Sequence, residues 1–241
     1  MYKYSTNNDK GEIMKTINFC GDSFCQKEHK SLATWTKLLA YKLEAKIIGF
    51  GKGASAHEHA IQTFDNTADY TVFCWTDPYR LYVDQTYSTN LWTLEAMINP
   101  DKLGLSSAAK LEQPTPTKID KAAYTYYKYL YSPSLHEQRQ IRDLYWFDNV
   151  VLSNYKGIAV HIFCFRYRIN YKFQNGIYVS DILAHKQRKH KFRFVNHSLL
   201  SNKEKQDILK NGDMSTEYAN HMTKHQNFEL ADKIYSILNL L

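Results

Sequence analysis

No apolar run in this sequence approaches the roughly 20 residues that a helix needs to cross a bilayer, so no membrane-spanning helix is expected. The start of the chain is no richer. Met1 to Ile13 are polar and charged and have no apolar central region, so no secretory signal is read and ordinary secretion is disfavoured. Cysteine is scarce. The four present, Cys20, Cys25, Cys74 and Cys164, include no Cys-x-x-Cys pair, and no histidine is spaced to complete a zinc site, so no metal is expected. Internal repeats and low-complexity segments are missing too, which removes solenoids and repetitive tails from consideration. The Gly-x-Ser-x-Gly elbow is absent, which disfavours a conventional α/β-hydrolase.

What is present fits one large domain, or one domain carrying an insertion, in 241 residues. Hydrophobic residues make up 44% and charged residues 23%, enough for a sizeable core. Met14-Lys15-Thr16-Ile17 reads as the domain start, and residues 1–13 as a flexible tail or an over-called start. Cys20, Cys74 and Cys164 fall in apolar strand-like runs and are expected to be buried thiols, which suits a reducing compartment. Cys25, close to Ser23, is the alternative candidate for a reactive thiol. The net charge is +7, a modest excess that permits polyanion binding without requiring it. The basic residues concentrate in His185-Lys186-Gln187-Arg188-Lys189-His190-Lys191-Phe192-Arg193. That run reads as a solvated loop or strand edge, or as a contact for phosphate or anionic glycan. No recognisable nucleic-acid motif accompanies it, so nucleic acid is the weakest of the candidate partners.

Hydrophobic patterning gives the architecture. Lys15 to Phe19, Ala45 to Phe50, Tyr70 to Trp75 and Ile158 to Phe165 read as strands, the last two almost wholly apolar. Ser31 to Leu43 places Leu32, Trp35, Leu38, Leu39 and Leu43 on one helical face. Ser55 is a candidate cap for a helix running to about Phe64, and Asn227 to Leu240 is amphipathic. Such alternation predicts βαβ units. The expected fold is a three-layer α/β/α sandwich with a parallel sheet of about five strands, flavodoxin-like in layout, and Phe192 to Val195 is the candidate fifth strand. Asp77 to Asn154 is an expected helical excursion, helical near Leu91 to Met97 and again from Lys118 to Val151 with a break at Ser132-Pro133. Its tyrosines (Tyr124, Tyr126, Tyr127, Tyr129, Tyr131) read as helix-packing rings, or as surfaces for stacking sugars or bases.

Parallel strands end at one edge, and ligands of open α/β sheets bind there. The chain places chemistry-bearing residues after each strand. Gly21-Asp22-Ser23 follows the first, where a turn can lift the Ser23 hydroxyl clear as a nucleophile. Gly51-Lys52-Gly53-Ala54-Ser55 follows the second, where exposed backbone N–H groups suit an oxyanion. Thr76 and Asp77-Pro78 follow the third, Asp77 being equally a helix start. His221 stands ahead of the last helix, where a base could meet Ser23, and His225 is the confusable alternative.

These blocks, in this order, resemble those of the SGNH (GDSL-like) hydrolase superfamily. Gly21, Asp22 and Ser23 match its first block, Gly53 its second, and His221 with the helix that follows its last. The overall character is similar to divergent members from bacteriophage genomes. The resemblance implies an esterase or acylhydrolase that removes an acetyl or short acyl group from a carbohydrate. It implies Ser23 as nucleophile, His221 as base, and Ser23, Gly53 and Thr76 as oxyanion donors, with no metal or organic cofactor. The partner implied is a small-molecule or glycan ester, and the expected place of action is cytoplasmic or virion-associated. Two blocks depart from the family. Thr76 stands where the family has asparagine, and Tyr218 where it has the acid three residues before the histidine. Asp213 and Glu217 are nearby candidates to orient the ring, as is a backbone carbonyl, with Asp22 and Asp77 as further supporting carboxylates. Those departures leave open a weak or inactive binding or virion structural protein on the same fold.

Overall fold

The structure is a computed structural model that describes residues 14–27, 34–84, 87–99, 101, 115–164, 171–179 and 224–240, the side chains of Trp92 and residues 224–226 excepted. Five strands form one sheet: β1 (Thr16–Gly21), β2 (Lys46–Gly49), β3 (Tyr70–Trp75), β6 (Ile158–Phe163) and β7 (Ile177–Tyr178). Their order is β2-β1-β3-β6-β7, and every pairing is parallel. Counted within the sheet this is the flavodoxin-like order 2-1-3-4-5. A two-stranded antiparallel hairpin, β4 (Leu81–Tyr82) and β5 (Ser88–Thr89), stands apart from it.

Alternation along the strands feeds two cores. Ile17, Phe19, Val72, Cys74, Val160 and Ile162 face one side, where α1 (Trp35–Lys42) and the C-terminal helix α6 (Lys224–Leu238) pack through Trp35, Leu39, Leu230 and Ile234. Phe73, Trp75, Ala159 and Phe163 face the other, against α2 (His57–Gln62) and the end of α5 (Pro133–Trp146). Helices on both faces make the three-layer α/β/α sandwich. No described helix is long and apolar enough to cross a membrane.

Between β3 and β6 the chain makes the hairpin, then α3 (Leu91–Ile98), α4 (Lys118–Tyr129) and α5. Local chemistry sets these boundaries. Asn90 caps α3 by accepting from the Thr93 N–H, and Thr117 with Asp120 forms a capping box on α4. Pro133 opens α5, where its missing N–H costs nothing. Leu94, Ala123 and Tyr127 make a small core of their own. The Tyr127 hydroxyl accepts from the Leu81 N–H and shares its one proton between the Tyr79 and Thr89 carbonyls, so its ring and its polar tip are both used in packing.

The end of α5 widens into a π-turn over Phe147–Val151. Asp148 there is fully buried, and its carboxylate accepts from the Gln174 and Asn175 N–H groups and the Tyr171 hydroxyl. Those bonds hold the segment that leads into β7. That strand was not read from the sequence, and the candidate fifth strand, Phe192 to Val195, lies outside the described residues.

His161 on β6 is fully buried and stacks on Phe173 at 3.6 Å between ring centroids. Trp75 Nε1 can only donate, so its 3.1 Å contact makes His161 Nδ1 the acceptor, and Nε2–H donates to the Asn175 carbonyl at 2.9 Å. Burial, partly offset by that carbonyl, lowers the His161 pKa to about 4. The folded-state value lies below the unfolded one, near 6.5. The unfolded chain therefore binds a proton below pH ~6.5 that the folded chain refuses until about pH 4. Stability from this site is complete above pH ~6.5 and falls by about 3 kcal/mol as the pH drops towards 4. Urea unfolding across that window should show the loss, and His161→Gln, which keeps one acceptor and one donor, should remove this component of it.

Candidate functional site

Strand β1 ends at Gly21, whose φ is +153°. The chain then turns back on itself. The Cys25 N–H donates to the Asp22 carbonyl at 3.1 Å, and the Phe24 N–H donates to Asp22 Oδ1 at 3.0 Å. Asp22 and Cys25 are thereby buried, while Ser23 stays half-exposed.

The loop after β2 is laced to this turn. Lys52 N–H and the Ser55 hydroxyl both donate to the Gly21 carbonyl, at 2.9 Å each, and Gly51 N–H donates to the Cys25 carbonyl at 3.1 Å. Gly51 permits the approach, because a Cβ there would stand 2.7 Å from the Asp22 carbonyl oxygen and 2.8 Å from that of Gly21. A Cβ on Gly53 would stand 4.0 Å from the Ser23 Cβ, so the first two predicted blocks do meet. Ala54, next to Gly53, holds a left-handed φ of +61°, a local strain that the lacing sustains. Ser55 does not cap α2. Ala56 occupies the cap position, and the Ser55 hydroxyl is drawn to Gly21 instead.

Thr76 lies at the same sheet edge. Gly21 pairs with Cys74, so Ser23 and Thr76 each stand two residues beyond a paired position. Thr76 is buried, and its hydroxyl has no hydrogen-bond partner among the described residues, while its carbonyl accepts from Gln140 Nε2 at 3.1 Å. Asp77 accepts from the Tyr79 N–H at 2.7 Å; burial raises its pKa, with that bond and Arg80 pulling it back. Asp77-Pro78 starts no helix: the chain turns there and enters the β4 hairpin. Asp22 likewise serves the turn, with Oδ1 on Phe24 and Oδ2 3.5 Å from Arg80 Nη2.

The last helix reaches the same place. Asn227 in the first turn of α6 is fully buried, and its Oδ1 accepts from the Trp35 N–H at 2.8 Å. Trp35 Nε1 in turn donates to the Phe24 carbonyl at 2.7 Å. His225 is two residues before Asn227, in the first turn of α6. His221, Tyr218, Asp213 and Glu217 lie outside the described residues, as do the basic run 185–193 and the tail 1–13.

A second polar cluster leaves no trace in the sequence. His57 opens α2 with Nε2 3.1 Å from Asp143 Oδ2 and Nδ1 3.3 Å from Glu58 Oε2. These three residues bring ligand atoms within 4.8 Å of one another and are the described set that could hold a metal ion. Guanidinium groups already occupy that role: Arg139 pairs with Glu58, and Arg142 lies 3.1 Å from Asp143. Burial lowers the His57 pKa against the pull of Asp143. With its ring 2% exposed, His57 ties α2 to α5 and is closed to a substrate. No local motif foretells a pair separated by 86 positions.

All four cysteines are buried and free. Cys25 is fully buried, and that burial pushes its thiol well above its ordinary pKa, which disfavours the reactive reading. A shallow cavity of about 570 Å³, lined by residues that include Phe64, Asp65, Asn154 and Tyr155, sits by the amino ends of β3 and β6, away from the Ser23 edge. Among its lining residues the Thr63 hydroxyl donates to the His59 carbonyl and Asp65 accepts from the Thr67 N–H and hydroxyl, all bonds within the local turn. Compared with protein-family models, with curated proteins and with solved structures, the chain has no match in any of the three.

Proposed function

We propose that the chain is a serine esterase or acylhydrolase of the SGNH type that removes an acetyl or short acyl group from a carbohydrate ester. The observation that carries this reading is the convergence of two segments on the Ser23 turn: Gly53 beside Ser23, and the start of α6 tied to Phe24 through Trp35. Chain length supports the missing partner. His221 precedes Lys224, where α6 begins, by three residues, so an extended chain can carry it about 10 Å from the start of that helix.

In this reading Ser23 Oγ attacks the ester carbonyl while His221 takes its proton. The oxyanion is held by the Ser23 and Gly53 N–H groups, with the Thr76 hydroxyl as third donor. His221 returns the proton to the leaving alcohol, and water, deprotonated by the same ring, releases the acid and restores Ser23. Threonine reaches less far than the family's asparagine, so turnover is expected to be slow.

p-Nitrophenyl acetate hydrolysis tests the base. His221→Ala should lower turnover by about 100- to 10,000-fold, and His225→Ala should leave it within about threefold. The reverse pattern moves the base to His225. Background rates in wild type and both variants alike would leave a binding protein on this fold.

A further inference from the structure

A buried arginine sits where the three post-strand segments meet. Arg80 follows the turn after β3 and is 9% exposed. Its Nη1 donates to the Ser55 carbonyl at 3.0 Å, and its Nη2 lies 3.5 Å from Oδ2 of the fully buried Asp22. One planar group thus grips the second loop by its backbone and the Gly-Asp-Ser turn by its carboxylate. Ser55 closes the circuit through its hydroxyl bond to the Gly21 carbonyl.

We infer that Arg80 is the positioning residue of the site, holding the Ser23 turn against the Gly51–Ser55 loop so that the Ser23 and Gly53 amides point at one place. The catalytic consequence rests on the esterase reading; the clamp itself does not. The chemistry favours arginine. A guanidinium offers donors in fixed, diverging directions, so one side chain can serve a carbonyl and a carboxylate together. An ammonium is a single point charge and must favour one of them. The cost of burying a charged group is offset here by a carboxylate that is itself buried and is also engaged by the turn. Two amides that must converge on one oxygen tolerate little drift, and a displacement of about 1 Å can cost on the order of 100-fold in rate.

Hydrogen–deuterium exchange on the intact chain reads the clamp directly. In Arg80→Met, amides of residues 21–26 and 51–55 should exchange at least about tenfold faster, while those of β3, α1 and α6 hold their wild-type rates. Arg80→Lys should fall between, and it is read the same way should Arg80→Met fail to fold. On p-nitrophenyl acetate, Arg80→Met should lower kcat by about 10- to 100-fold with KM within about twofold, and Arg80→Lys should recover part of the loss. Unchanged exchange in both loops overturns the clamp, whatever the activity. Wild type without turnover, together with faster loop exchange in the variant, overturns the esterase reading and leaves the clamp standing.

Discussion

Ser23→Ala is expected to lower ester turnover by about 10,000-fold or more while leaving the melting temperature within about 2 °C of wild type. The two halves of that expectation have separate causes. The nucleophile is the one atom group that no neighbour replaces, and the rate left over comes from substrate binding and oxyanion donors alone. Stability is spared because the turn is held by bonds that alanine leaves in place. Asp22 accepts from Phe24 and Cys25, and the following loop donates to Gly21 and Cys25. A steady-state assay with a thermal melt checks both halves. A variant that keeps its rate removes Ser23 from the chemistry.

Gly21→Ala should cost about 3 kcal/mol of stability or more, one residue before that turn. At φ +153° an L side chain is strained wherever it points. Here its Cβ would also stand 2.4 Å from the Cys74 carbonyl oxygen and 2.7 Å from the Cys74 Cβ. Cys74 lies on β3, which is paired on both sides, so neither partner can retreat without breaking the sheet. Gly53→Ala makes the control. A Cβ there meets the Gln26 side-chain oxygen at 2.4 Å, the far end of a flexible side chain that can swing aside. Its cost should stay within about 1 kcal/mol. Urea midpoints separate the two, and equal values would contradict the packing of β1 on β3 described above.

How far the sequence carried depended on whether the cause of a feature was local. Strands β1, β3 and β6 were legible because the sheet is covered on both faces, so each reads as an apolar run. Pro133 marked the junction of α4 and α5 for an equally local reason. Strand β7 is two residues long, too short for any alternation to register, and it is fixed by Asp148 reaching across from the π-turn. The widening of α5 at Phe147 escaped notice for the same reason, since its buried acid finds its partners some 25 residues on. At the candidate site, Gly-Asp-Ser and Gly53 announce themselves through turn chemistry. Ser55 looked like a helix cap because serine so often is one; only the approach of Gly21 from another strand redirects its hydroxyl. Arg80 and Asn227 carried no signal at all. Their meaning lies in partners 58 and 192 positions away, Asp22 and Trp35, which come near only when the sheet has formed.

The central claim is that Ser23 is a base-activated nucleophile, and a fluorophosphonate tests it without knowledge of the natural substrate. Peptide mapping after treatment of the intact chain should find one phosphonylated residue, Ser23, and no adduct in Ser23→Ala or His221→Ala. Wild type that stays unmodified, or that carries the label on another residue while Ser23 is untouched, would contradict the account.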